Sequence, residues 1–216
     1  MRAGVLYAME KEAAGLLKKL AASPLPAVAG MPLYALPGGH ILCVGGVGKV
    51  NAAMAAQLLI DRFSVDVILN PGCAGAFDVT LPVGTLVMGT ACVQHDVDTS
   101  LVGDPPGFVS TVNVVEFPCA PVPLPGAVPG VVATGDWFGR DYGRARAIQE
   151  RFGAAVCDME AGAIAQVCLR HGIACTMLKS VSDHLLSPTQ DVEYTQNFSQ
   201  AMDSLDAAVA AILEGM

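Results

Sequence analysis

The sequence predicts an α/β domain built around a mainly parallel central sheet. Short, wholly apolar runs of the kind buried on both faces alternate along the chain with longer segments of helical periodicity. The composition agrees: 216 residues that are 53% hydrophobic and only 15% charged must bury much of their length. No internal repeat and no linker divides the chain, so residues 1–216 are expected to form one domain.

Taken in order, Gly4-Val5-Leu6-Tyr7 is a short apolar strand, and residues 9–20 follow as a helix with Leu16, Leu17 and Leu20 on its apolar side. A connection rich in Pro, Gly and Ala leads to a strand at 32–36. Pro37-Gly38-Gly39 is a turn, and 40–44 returns as a hairpin partner. Residues 48–63 form a long apolar helix, followed by strands at 66–70 and 84–93. The stretch 100–130 has many Pro and Gly residues and little periodicity, and reads as loop. Beyond it come a strand at 131–134, a helix at 140–152, a strand at 154–157 and a helix at 161–171. Residues 172–178 read as a buried strand that stops at Lys179, which leaves Asp183 just past its carboxyl end, where open α/β sheets place their chemistry. The closing helix, 192–213, carries Phe198, Met202, Leu205 and Val209 on one face.

Charge and cysteines narrow the function. A formal net charge of −8 argues against nucleic acid, which needs a basic stripe. The seven cysteines show no CxxC or Cys/His metal spacing, and Cys43, Cys168 and Cys175 lie in apolar runs as reduced thiols would. No segment has the pattern of a signal peptide or the roughly 18–20 apolar residues of a membrane span. The expectation is a cytoplasmic protein without metal or cofactor.

Two glycine motifs follow strands. Gly45-Gly46-Val47-Gly48-Lys49-Val50 departs from a P-loop, because Val50 stands where a magnesium-binding hydroxyl is required. It departs from a dinucleotide fingerprint too, since Asn51 replaces the third glycine. A tight strand-to-helix turn accounts for it. In Asn70-Pro71-Gly72-Cys73-Ala74-Gly75-Ala76-Phe77, small residues would let backbone approach a flat ligand, and no arginine or lysine is present.

Three carboxylates lie where buried elements end. Glu12 shares a helix face with Met9, and it equally suits a first-turn acid complementing the helix dipole. In Asp158-Met159-Glu160, extended geometry would send both acids one way and Met159 the other, while both acids also suit a helix start. Asp183 has the alternative of an N-cap or a solvated turn.

The ordered set Ala8-Met9-Glu10-Lys11-Glu12, Gly46-Val47-Gly48-Lys49-Val50-Asn51-Ala52-Ala53, Asn70-Pro71-Gly72-Cys73-Ala74-Gly75, Asp158-Met159-Glu160-Ala161 and Ser180-Val181-Ser182-Asp183 resembles the nucleoside phosphorylase/nucleosidase superfamily, in particular the 5′-methylthioadenosine/S-adenosylhomocysteine nucleosidases. The resemblance covers nearly the whole chain and is weakest at 100–130. It implies a three-layer α/β/α domain with a mixed, partly barrel-closed central sheet, a homodimer, and hydrolysis of the N-glycosidic bond of 5′-modified adenine nucleosides. By the same resemblance Asp183 is the general acid to N7 and Glu12 activates water. Glu160 binds the ribose hydroxyls, Met159 packs on the sugar, and Phe138 stacks on the base. Met9, Ala74, Gly75, Asp158 and Ser182 complete the substrate site, and Tyr194 covers the 5′ side.

Some positions depart from the family pattern. Asp158 replaces a glutamate, Cys73 a serine, and Lys179 stands where relatives often carry arginine. Gln94-His95-Asp96 keeps a His-Asp pair, with His95 open to a structural, interface or site role. The segment Leu101-Val102-Gly103-Asp104-Pro105-Pro106 lacks the aromatics by which a partner subunit usually covers the 5′-substituent. The Gly45–Ala53 motif also resembles futalosine hydrolase. The absence of a basic residue in the Gly72 motif favours water over phosphate as nucleophile, since a phosphorylase must hold a dianion. A phosphate-dependent purine nucleoside phosphorylase and a non-catalytic nucleoside-binding protein are the remaining readings.

Overall fold

The computed structural model describes residues 1–216. Its strands are β1 (Ala3–Tyr7), β2 (Ser23–Val28), β3 (Met31–Ala35), β4 (Ile41–Val44), β5 (Val67–Ala76), β6 (Leu86–Gln94), β7 (Glu116–Pro118), β8 (Val128–Thr134), β9 (Ala154–Asp158) and β10 (Ala174–His184). The helices are α1 (Glu10–Lys19), α2 (Lys49–Phe63), α3 (Tyr142–Phe152), α4 (Ala161–His171) and α5 (Gln190–Glu214). All strands join one sheet in the order β10-β6-β8-β9-β5-β1-β4-β3-β2, with β7 on β6. Because β10 also pairs with β5, the strands β10, β6, β8, β9 and β5 close into a five-stranded barrel, and β1, β4, β3 and β2 extend from it as a wing.

The sheet is mixed rather than mainly parallel. The pairs β1–β4, β1–β5, β5–β10, β6–β8 and β8–β9 are parallel. The pairs β2–β3, β3–β4, β5–β9, β6–β7 and β6–β10 are antiparallel. Alternation of helix and strand overstates parallel pairing here, because the hairpin at β3–β4 and the β5–β9 and β6–β10 pairs of the barrel run antiparallel.

Alternate residues of the inner strands feed two separate cores, as a period of two requires. Ala3, Val5 and Tyr7 of β1, Leu42 and Val44 of β4, and Val67 and Leu69 of β5 pack with α1 and α5. Leu6, Ile41, Cys43 and Ile68 point to the opposite face and pack with α2 and α4. The second face is lined by small residues: Ala52, Ala55 and Ala56 on α2 and Ala161, Ala163 and Ala165 on α4 let two helices lie close to each other and to the sheet. Burying each leucine or isoleucine of these cores contributes about 1.5–3 kcal/mol.

Several elements differ from the expected bounds. The connection before β3 is itself a strand, β2, and its Pro24 and Pro26 are tolerated because β2 is the sheet edge. Within the expected loop, β7 adds a short strand and β8 begins at Val128. The strands expected at 66–70 and 172–178 run on as β5 and β10, and pair in parallel to Ala76 and His184. The second glycine motif is therefore part of the strand it was expected to follow, and Asp183 lies within a strand and not after one.

Candidate active site

The long β5–β10 ladder positions the site. Its register slips between Val181 and Asp183, so Ser182 is an extra residue in β10: Val181 pairs with Ala74 and Asp183 with Gly75. Such a bulge re-aims the side chains beside it. Ser182 Oγ donates to Asp183 Oδ1 at 2.6 Å, and Gln190 Nε2, from the first residue of α5, donates to Asp183 Oδ2 at 2.9 Å. Burial raises the Asp183 pKa from its ordinary value, against the lowering effect of those two hydrogen bonds. Gly75 is required by close approach: a Cβ there would lie 2.9 Å from Asp183 Oδ2.

Between its pairing with β1 at Val67–Leu69 and with β9 at Gly75–Ala76, β5 is paired only with β10. Pro71 fits that open edge because it has no amide to satisfy. The free Cys73 N–H instead donates to Glu12 Oε1 at 3.2 Å. Glu12 is the third residue of α1 and also accepts the Met9 N–H through Oε2 at 3.0 Å, the reach-back half of a capping box. It is 3% exposed, and burial raises its pKa. The capping and the site readings of Glu12 are thus compatible.

Glu160 precedes α4, and its Oε1 accepts the Gly48 N–H at 2.8 Å. Gly48 has φ 95°, a conformation suited to glycine, so the Gly45–Gly48 segment is a strand-to-helix turn that presents its amide to a carboxylate. Burial first, and then the charge of Asp158, raise the Glu160 pKa to about 7. Asp158 is different. Its Oδ1 accepts from Thr134 Oγ1 at 2.5 Å, and its Oδ2 takes the Ala161 N–H at 2.9 Å and Lys179 Nζ at 2.9 Å. Its oxygens anchor the start of α4 and a buried cation, so Asp158 forms cavity wall while its carboxylate is engaged behind that wall.

Lys179 is fully buried, with Nζ also 2.6 Å from Asn70 Oδ1. Burial works against its charge, but Asp158, Glu160 and Glu12 outweigh burial and hold its pKa above the usual lysine value. Lys49, the cation of the first glycine motif, is occupied by Asp96 at 2.6 Å and Gln94 at 3.1 Å.

These groups surround one cavity of about 240 Å³. Every residue expected in the site lines it: Met9, Glu12, Ala74, Gly75, Phe138, Asp158, Met159, Glu160, Ser182 and Asp183, with Tyr194 beside them. No lysine, arginine or histidine is among the lining residues. Phe138 is 53% exposed, with its ring 5.5 Å from Tyr194, so it stands at the mouth and not in a core. His95 lies behind the wall, with Nε2 3.6 Å from Cys157 Sγ and its ring edge-on to Trp137. Burial lowers its pKa.

Sequence reasoning missed Val47, Trp137, Leu185 and above all Gln190. Gln190 precedes the helix as it was bounded, and a single glutamine there carries no pattern. The lysine–asparagine–aspartate cluster behind the site was equally hidden, because its members come from three strands. No group of three His, Cys, Asp or Glu side chains is placed to hold a metal ion.

A family model described as the phosphorylase superfamily matches residues 2–215. A 5′-methylthioadenosine/S-adenosylhomocysteine nucleosidase of Bacillus cereus (strain B4264) is 34% identical, covering 99% of each chain. A crystal structure of such a nucleosidase from Colwellia psychrerythraea 34H, in complex with adenine, is 30% identical over 99% of this chain and 95% of that one, with a TM-score of 0.88. The futalosine hydrolase of Helicobacter pylori strain 26695 superposes with a TM-score of 0.91 over 100% of this chain and 98% of that one, at 22% identity, a likeness of fold.

Proposed function

The chain belongs to the phosphorylase superfamily, and from that premise we propose that it hydrolyses the N-glycosidic bond of 5′-modified adenine nucleosides, such as 5′-methylthioadenosine and S-adenosylhomocysteine, releasing adenine. The observation that carries the reading is a single cavity lined by Glu12, Asp158, Glu160 and Asp183 without any basic side chain. A phosphate dianion would meet carboxylates there, the nearest buried cation, Lys179, being already paired with Asp158, whereas a sugar turning cationic would be stabilised.

Adenine leaves readily only when its N7 is protonated. Asp183 is suited to that task because burial raises its pKa and so favours the protonated form, and because it faces the cavity. Oδ1 accepts from Ser182 Oγ and Oδ2 from Gln190 Nε2, and the acid proton rides on the remaining lone pair of Oδ2. Glu12, held at both oxygens by backbone amides, activates the attacking water. Glu160 receives the ribose hydroxyls, and its negative charge, with that of Glu12, stabilises the oxocarbenium-like sugar. Met9 and Met159 pack on the sugar, Phe138 covers the base, and Ala74 and Gly75 keep the floor thin enough for a flat ring. Tyr194 lies toward the 5′ side.

We assign a homodimer on the exposed apolar residues Val47, just before α2, and Val50 and Met54 within it, together with the strongly exposed Leu101 and Val102. The seven unpaired cysteines suit a reducing, cytoplasmic setting. Incubation with 5′-methylthioadenosine in phosphate-free buffer tests the activity: free adenine is expected. The variant Asp183→Asn is expected to lose on the order of 100–10,000-fold in kcat while still binding adenine. Near-normal turnover by that variant would remove Asp183 from the acid role.

A further inference from the structure

Gln190 is 1% exposed and lines the cavity beside Asp183. Its Nε2 is engaged by Asp183 Oδ2 at 2.9 Å, but its Oε1, equally shut off from solvent, has no hydrogen-bond partner in the protein. A buried amide oxygen without a donor is the kind of defect proteins avoid unless a ligand supplies the donor. We infer that Gln190 Oε1 accepts a hydrogen bond from the exocyclic amino group of a 6-aminopurine, and so selects adenine over 6-oxopurines. The inference rests on the nucleosidase reading and assigns its base specificity to a named atom.

The purine edge makes the match. Adenine presents its N7 acceptor next to its 6-amino donor, whereas a 6-oxopurine presents two acceptors in a row. A protonated Asp183 offers a donor for N7, and Gln190 Oε1 is an acceptor next to it. The pair is therefore complementary to adenine. A 6-oxo group would meet Oε1 oxygen to oxygen. Turning the amide over would relieve that contact only by setting Oε1 against Asp183 Oδ2, where it either draws the proton meant for N7 or faces another bare oxygen.

The glutamine is also held in place. The start of α5 is tied to the end of β10 by His184, whose Nδ1 lies 2.9 Å from Glu193 Oε2 and whose backbone N–H donates to the same oxygen at 3.1 Å. Arg140, two residues after Phe138, donates to Pro188 O at 3.1 Å and to Asp191 at 3.2 Å. The residues flanking Gln190 are thus fixed on both sides, so its amide has few other places to go.

Two measurements test the assignment: kcat/KM for 5′-methylthioadenosine against 5′-methylthioinosine, which differ at the 6-position and in the proton the 6-oxo form carries on N1, and calorimetric binding of adenine against hypoxanthine. The wild type should favour the amino compounds by about 100-fold in both. Gln190→Met, similar in volume, should reduce each ratio about ten-fold or more, mainly through loss on the adenine side. An unchanged ratio in the variant, or a wild type that accepts both bases equally, overturns the assignment. Should the variant not fold, unsubstituted purine carries the test: it should bind the wild type about ten-fold more weakly than adenine, and equal binding overturns the inference. Binding needs no turnover, which separates the two proposals. Selective adenine binding through Gln190 without cleavage would refute only the nucleosidase reading. Cleavage with selectivity indifferent to Gln190 would refute only this one.

Discussion

Glu160 is held by one backbone amide and sits within the field of Asp158, Glu12 and the buried Lys179. Its pKa of about 7 in the free protein has a consequence for stability. A carboxyl group whose folded pKa lies above its unfolded value contributes fully below the unfolded pKa, near 4.5, and loses that contribution as pH rises through about 7. Glu160→Gln keeps an oxygen for the Gly48 N–H and removes the titration. The variant should therefore melt several degrees above the wild type at pH 8, an effect on the order of 3 kcal/mol at most, and close to it at pH 4. Thermal melts at the two pH values check this. A difference that does not grow with pH would mean that Glu160 is ionised without penalty in the fold. At the same scale, the sequence made Glu12, Glu160 and Asp183 legible because each sits next to an element boundary. It could not separate Asp158 from them, since only the fold brings Thr134 and Lys179 to its oxygens.

At the scale of the element, the site depends on two strands running longer than their sequences suggest. The motif Asn70–Gly75 has the composition of a turn, yet it stays extended because β10 pairs with it throughout. Local propensity loses to the ladder, and Pro71 and the open edge explain why a proline can remain there. The bulge at Ser182 then aims Asp183 across Gly75. Gly75→Ala would place a Cβ 2.9 Å from Asp183 Oδ2 and 3.1 Å from Leu185 Cγ. The carboxyl must move, and kcat/KM is expected to fall on the order of 100-fold while the melting temperature changes little. Activity within two-fold of the wild type would show that the acid tolerates displacement. The helices were easier to read than the strands: the expected 161–171 coincides with α4, because its apolar face and flanking Gly172 mark both the period and the stop.

At the scale of the molecule, a closed barrel and an open wing share β5, and the cavity forms where the wing's β1 stops pairing and the barrel's β9 starts. The acids come from α1, the start of α4 and the end of β10, far apart in sequence, and the barrel gathers them. The mixed sheet was not readable from alternation alone. Parallel and antiparallel pairing depend on where chain reversals fall, and the β5–β10 closure joins segments about a hundred residues apart. What the sequence did carry was the set of small and acidic residues the cavity needs. In the proposed reaction water, and not phosphate, attacks the sugar in a cavity that no basic side chain lines. Turnover of 5′-methylthioadenosine in ¹⁸O-labelled water, with and without inorganic phosphate, tests it most directly. Hydrolysis puts one ¹⁸O at C1 of the newly released sugar, at a rate indifferent to phosphate. A sugar 1-phosphate product, or turnover that requires phosphate, would contradict it.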